Sequence, residues 1–155
     1  MWYNKSMRND FVLSWHDGGK DHESHFRLCE FESCDGTVVV DTNLVRSLEL
    51  TRRDLCVFLG TDVQIVIKSG TRTEAENERL AERLGWVENG GAVAHDSRHL
   101  PKYGGLAVDC HARYREGASW EVVAQTTLGS ACRVHFAFVK DDYPDGHVHA
   151  DNRAD

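Results

Sequence analysis

No uncharged stretch of about 18 residues occurs anywhere in this chain, so no membrane-spanning helix is expected. Its start, Met1 to Asp10, is polar and mixed in charge and lacks the apolar run a signal peptide needs. The expectation is a protein made in the cytoplasm without a leader. A basic excess is missing too: 18 Lys+Arg stand against 25 Asp+Glu, a formal net charge of -7. Nucleic-acid binders usually carry a basic face, so neither nucleic acid nor membrane is expected as a partner. Cysteines are few and irregular. Cys29, Cys34, Cys56, Cys110 and Cys132 make an odd set, whereas a disulfide framework more often shows an even one, and reduced thiols are the reading. Cys29 and Cys34 have no second close pair to complete a four-ligand zinc site. There is no internal repeat and no sign of a second domain, and 155 residues suffice to bury one core.

Periodicity then supplies the elements. Residues 1–25, with Gly18-Gly19, scattered charges and His16, His22 and His25, read as a weakly structured peripheral segment, leaving 26–155 as the domain. Leu44, Val45, Leu48, Leu55 and Phe58 recur at helical spacing behind Thr42 as N-cap. Val63, Ile65 and Ile67 alternate as a strand that Ser69-Gly70 breaks. Thr73 and Glu76 form a capping box for a helix carrying Leu80 and Leu84, ended by Asn89-Gly90-Gly91. Leu106 to Cys110 is a short buried strand. Ser119, Trp120, Val122, Val123 and Leu128 read as a helix closed near Gly129, and Val134, Phe136 and Phe138 as a strand. After the turn at Tyr143-Pro144-Asp145-Gly146, His147, Val148 and His149 open a final strand. The expected class is α+β, with helices packed on a mainly antiparallel sheet.

Two segments hold ligand types that zinc favours: Ser97 to Asp109, containing His99, and Tyr143 to Asp151, containing His149. Catalytic zinc takes three ligands from His, Asp or Glu and keeps a fourth position open. Ser97-x-His99, then Gly105-x-Ala107-Val108-Asp109, then a late His149 on a strand resembles the zinc D-Ala-D-Ala carboxypeptidases and L-alanyl-D-glutamate endopeptidases. That group has a hedgehog-like fold and includes phage endolysins. Phe26 to Phe31 with Cys34-Asp35-Gly36 is similar to its entry segment, and Val66 to Thr73 with Asn77 to its Ser-Gly-Tyr-Arg-Thr turn. Tyr143-Pro144 followed by Val148-His149-Ala150-Asp151-Asn152-Arg153 is similar to its closing strand.

The resemblance implies a hedgehog-like fold and a Zn2+ ion held by His99, Asp109 and His149. It implies that Arg72 holds substrate and steadies the oxyanion. Between His99 and Asp109 the chain carries a short insertion, Pro101-Lys102-Tyr103-Gly104, relative to the family. The family's acid/base carboxylate sits three residues before the last histidine, where this chain has Gly146. Asp145 is the first candidate for that role and Asp142 the second. His147 shares a strand face with His149 and is a candidate to hydrogen-bond the tetrahedral intermediate, or else a packed imidazole. His95 is an alternative ligand, Asp151 orients a ligand histidine or sits on the surface, and Ser97 braces the ligand loop.

The expected activity is hydrolysis of an amide bond in the stem peptide or cross-link of peptidoglycan, by a carboxypeptidase or an endolysin-type endopeptidase. The expected setting is a monomer, or part of a phage particle, that reaches the wall after phage-assisted release or within a virion. The alternative is a non-catalytic, zinc-stabilised binding module or a virion structural component.

Overall fold

A computed structural model describes residues 10–154 of the chain. The part of the expected peripheral segment at positions 1–9 lies outside the described residues. The remainder of that segment is ordered as a hairpin, β1 (Val12–Asp17) and β2 (Lys20–Arg27), turning at Gly18 and Gly19, both at positive φ. The hairpin is peripheral in that most of its side chains are exposed, yet Leu13 and Trp15 pack on the core and Phe26 is buried in it. The boundary drawn at residue 26 therefore falls inside a strand.

Helix α1 (Thr42–Leu59) is capped by Asp41, whose carboxylate accepts from the Asn43 amide at 2.7 Å, one residue before the cap expected at Thr42. Gly60 ends it in the left-handed region. Strand β3 (Val63–Ser69) follows, and then α2 (Glu74–Leu84), which carries the expected Thr73/Glu76 capping box. Its end is Leu84 rather than Asn89. Gly85 turns the chain, and a 3-10 turn over Val87–Asn89 precedes the long loop.

Strand β4 (Ala107–Glu116) runs well past Cys110. The segment read as one helix divides: Ser119–Val122 is strand β5, and α3 spans Gln125–His135. Trp120 and Val122 obey the alternation of two just as well as the helical period, and pairing with β4 decides between them. Gly129 lies inside α3 rather than closing it, at a point where a Cβ would fall 2.7 Å from the Asp141 Cβ, so the glycine serves close packing and not a helix end. Val134 accordingly sits in α3, and the next strand, β6, is Phe138–Lys140; β7 is Val148–Asp151.

The main sheet has the order β3-β4-β7-β6, with β5 paired to β4 beside β7, and every pairing is antiparallel. One sheet face packs on α1 and α3 through Val63, Ile65, Val108, Cys110, Val148 and Ala150, which are among the most buried residues. Strand alternation then places Asp109, His111, His149 and Asp151 on the opposite face. The class is α+β, as expected. Among the described residues no helix is long and apolar enough to cross a membrane, and all five cysteines are free thiols.

Candidate metal centre

Asp109 and His149 are direct cross-strand partners on β4 and β7, so register alone brings their side chains together. His99 arrives from the loop after α2. Its backbone carbonyl accepts from the Arg72 amide at 2.9 Å, and its own amide donates to Ser97 Oγ at 3.4 Å. A 3-10 turn over Pro101–Tyr103 follows His99, and Gly104 and Gly105, both at positive φ, lead into β4.

Three atoms converge: His99 Nε2, Asp109 Oδ1 and His149 Nδ1, separated by 3.1, 3.1 and 2.9 Å. The far nitrogen of each ring is committed. His99 Nδ1 donates to the Gly70 carbonyl at 2.7 Å, and His149 Nε2 donates to the Asp151 carboxylate at 2.8 Å. In neutral rings the two inner nitrogens are therefore bare lone pairs facing a carboxylate oxygen. Three buried acceptors this close repel one another unless a cation lies among them.

The spacing suits one ion. Tetrahedral nitrogen and oxygen ligands at about 2.0–2.1 Å from a metal lie about 3.3 Å apart. His99, Asp109 and His149 form a buried group that can bind a metal ion, as expected from the sequence. A proton shared between the rings and the carboxylate is the alternative to an ion, and the electrostatics of that state likewise draw positive charge to Asp109. Burial pushes the Asp109 carboxyl up, but the charges and hydrogen bonds of His99 and His149 overcome it and hold the group well below the usual range. Burial pulls His149 down, while its bonds to Asp109 and Asp151 raise it. Burial likewise opposes the Asp151 charge, and Arg153 with His149 keeps that carboxyl below its ordinary range. The Arg153 guanidinium reaches Asp151 Oδ2 at 2.6 Å, so Asp151 is a braced orienter of His149.

The group opens into a cleft walled by Arg72, Arg98, Phe138, Tyr143 and His147. Arg72 Nη2 lies 3.5 Å from Asp109 Oδ2, and its Nη1 is 3.4 Å from Asn77 Oδ1 and 3.5 Å from Ser97 Oγ. His147 Nε2 stands 3.9 Å from Asp109 Oδ1, outside the ligand cluster. Its Nδ1 donates to Asp145 Oδ1, and Asp145 Oδ2 accepts from Lys68. That lysine bond, then the contact with His147, holds the Asp145 carboxyl far below its ordinary range. Tyr143 stacks on His147 with ring centroids 4.0 Å apart; burial, then the Asp109 charge, pushes its phenol up to about 12, so it stays a hydrogen-bond donor.

The other candidates lie elsewhere. His95 stacks on Trp86 at the surface and contacts Glu88. Asp142 pairs with Lys140. Sequence reasoning missed the Gly70 carbonyl, Lys68, Phe138 and Tyr143 as parts of the site. The Ser69-Gly70 break marked the first, but no sequence signal places Lys68 beside Asp145, 77 positions away. Comparison of the chain with protein-family profiles, with curated proteins and with solved structures returns no match.

Proposed function

We propose that the chain is a zinc-dependent peptidoglycan peptidase that hydrolyses an amide bond in the wall stem peptide or cross-link. The observation that carries this reading is the convergence of His99 Nε2, Asp109 Oδ1 and His149 Nδ1 at the floor of a cleft that is also lined by the Arg72 guanidinium and the separately anchored imidazole of His147. Two imidazoles and one carboxylate with an open side match a catalytic rather than a closed structural zinc site. The hedgehog-like fold and the peptide substrate rest on the motif resemblance.

A zinc ion held by these three residues supplies Lewis acidity toward a carbonyl and acidifies water. The chain's own groups do the rest. Arg72, held by Asn77, Ser97 and Asp109, presents its guanidinium to the developing oxyanion. Asp145 fixes the ring of His147, whose Nε2 takes a proton and returns it to the leaving amine. Proton transfer, expected at Asp145 itself, is thus assigned to the Asp145–His147 pair, because Lys68 already occupies one carboxylate oxygen. Tyr143 covers one face of that ring and keeps bulk water from it. The enzyme acts as a monomer or as part of a phage particle, reaching the wall after phage-assisted release or within a virion.

A second reading, a non-catalytic zinc-stabilised binding module or virion component, draws support from the Lys68–Asp145 contact, which neutralises the carboxylate first expected to do the acid/base work. The test is elemental analysis together with digestion of purified wall peptides, read by mass spectrometry. One zinc per chain and a cleaved amide, with His147→Gln keeping zinc and losing cleavage, supports the peptidase. Zinc without cleavage favours the second reading, and no bound metal removes both.

A further inference from the structure

The two strands that carry metal ligands are the middle pair of the row β3-β4-β7-β6, and register sets what stands on either side of them. On β3, after a register shift past Ile67, Ser69 lies directly opposite Asp109. Asp109 lies opposite His149, and on β6 Phe138 lies opposite Asp151, two residues on from His149. Directly opposed residues of antiparallel strands share a face. Ser69 and Phe138 therefore flank the ligands on the face turned away from α1 and α3.

The space over this face runs across the strands. One half lies over β3 and is bordered by Lys68, Ser69, Glu76, Arg79 and Arg83. The other lies over β7 and β6 and is bordered by Ala94, Arg98, Phe138, Tyr143 and Arg153. Arg72, Leu80, Leu84, Asp109 and His147 border both, so the halves adjoin at the metal centre, with α2 as their shared wall. Each end is bordered by exposed side chains: Lys68, Arg79 and Arg83 at one, Phe138 at the other. Two cations at these ends are already engaged, Lys68 with Asp145 and Arg153 with Asp151. Three strand spacings of about 4.8 Å set Ser69 and Phe138 about 14 Å apart across the sheet. That width equals roughly four residues of extended peptide.

We propose that the substrate lies across the sheet and fills both halves of this groove, so that the bond cut is an internal amide with about two residues held on each side. The enzyme is then an endopeptidase rather than a carboxypeptidase. The reason is positional. The ligand cluster stands midway along the groove rather than at one end, and a chain can leave past Arg83 in one direction and past Phe138 in the other. The rival anchor for a free terminal carboxylate is Arg98, next to His99. Its guanidinium carbon lies 4.4 Å from the Tyr103 ring centroid, and it forms no ion pair among the described residues. The inference deepens the peptidase reading and rests on it for the reaction, while occupation of both halves needs no metal.

The test separates the two. Isotope-labelled, metal-free protein is titrated with a wall tetrapeptide acetylated at its amine and amidated at its end, and with the two dipeptides that make up its halves. The expected result is that the tetrapeptide shifts backbone amide signals at both Ser69 and Phe138, and binds more tightly than either dipeptide. Shifts confined to one half overturn the proposal. The zinc-loaded protein is then given the end-blocked tetrapeptide and its free acid. Loss of a hydrogen bond to a terminal carboxylate costs about tenfold or more. Cleavage of both substrates at the middle amide, at rates closer than that, is expected. Cleavage of the free acid alone, lost on amidation and in Arg98→Gln, overturns the endopeptidase in favour of a carboxypeptidase. Shifts in both halves with no cleavage of either substrate keep the groove and remove the peptidase.

Discussion

The Nδ1 of His99 lies 2.7 Å from the carbonyl oxygen of Gly70, so a residue without a side chain sets the tautomer of a metal-ligand candidate. Gly70 can occupy that place because a Cβ there would stand 2.7 Å from the Cα of Phe31, whose own carbonyl accepts from the Thr71 amide at 2.8 Å. The strand break at Ser69-Gly70 is therefore both a close backbone approach and the support for a ligand.

Gly70→Ala is expected to push these two backbone segments apart. Overpacking of this kind costs about 1–3 kcal/mol, read as a lower urea midpoint. The displaced carbonyl weakens metal affinity about 10–100-fold, measured by competition with a chromophoric chelator. A variant with unchanged affinity would show that the Gly70 carbonyl does not position His99.

Metal removal tests the cluster more directly. Saturating zinc at 100 times its dissociation constant stabilises the fold by about 2.7 kcal/mol. Dialysis against a chelator should lower the thermal midpoint, and zinc should restore it. His149→Ala should show the low midpoint with or without zinc.

Arg72 tests the electrostatic half of the site. Arg72→Lys keeps a charge but loses the fork that reaches Asn77, Ser97 and Asp109 together. Zinc content should stay the same while kcat on wall peptides falls by about 10²–10³. A fall in KM-dependent terms alone would instead assign Arg72 to substrate binding.

In an ordinary helix interior, glycine to alanine is stabilising by about 0.5–1 kcal/mol. Gly129→Ala in α3 should do the opposite, because its methyl meets the Asp141 carboxylate and Cβ. Chemical denaturation of the variant against wild type gives the sign.

Arg133 hydrogen-bonds both oxygens of Asp141, at 2.7 and 2.9 Å, and that pairing holds the carboxyl below its ordinary range. A depressed folded-state pKa adds stability above the unfolded value of about 4 and loses it as pH falls through the folded value. The gap in urea midpoint between wild type and Asp141→Asn should be open at neutral pH and close in acid. A gap independent of pH would point to shape rather than charge.

Local signals were legible wherever one residue pattern suffices. The Thr73/Glu76 capping box starts α2, the alternation of Val63, Ile65 and Ile67 makes β3, and His99, Asp109 and His149 are found together at the expected centre. The division of Ser119 to His135 into strand and helix was not legible, because Trp120 and Val122 fit both periods and only pairing with β4 selects one. The hairpin at Val12–Arg27 was hidden by its charges, which sit on the exposed side while Leu13, Trp15 and Phe26 bind it to the core.

The sequence by itself determined the ligand types, the α+β class and the elements whose periodicity admits one reading. Tertiary structure alone decided which nitrogen of each histidine faces inward, that Lys68 meets Asp145, and that Ser69 and Phe138 flank the ligands on their own face. Those outcomes depend on register and on contacts between residues far apart in the chain, and a hydrogen bond from a ring nitrogen to a distant carbonyl leaves no periodic trace in the residues that make it.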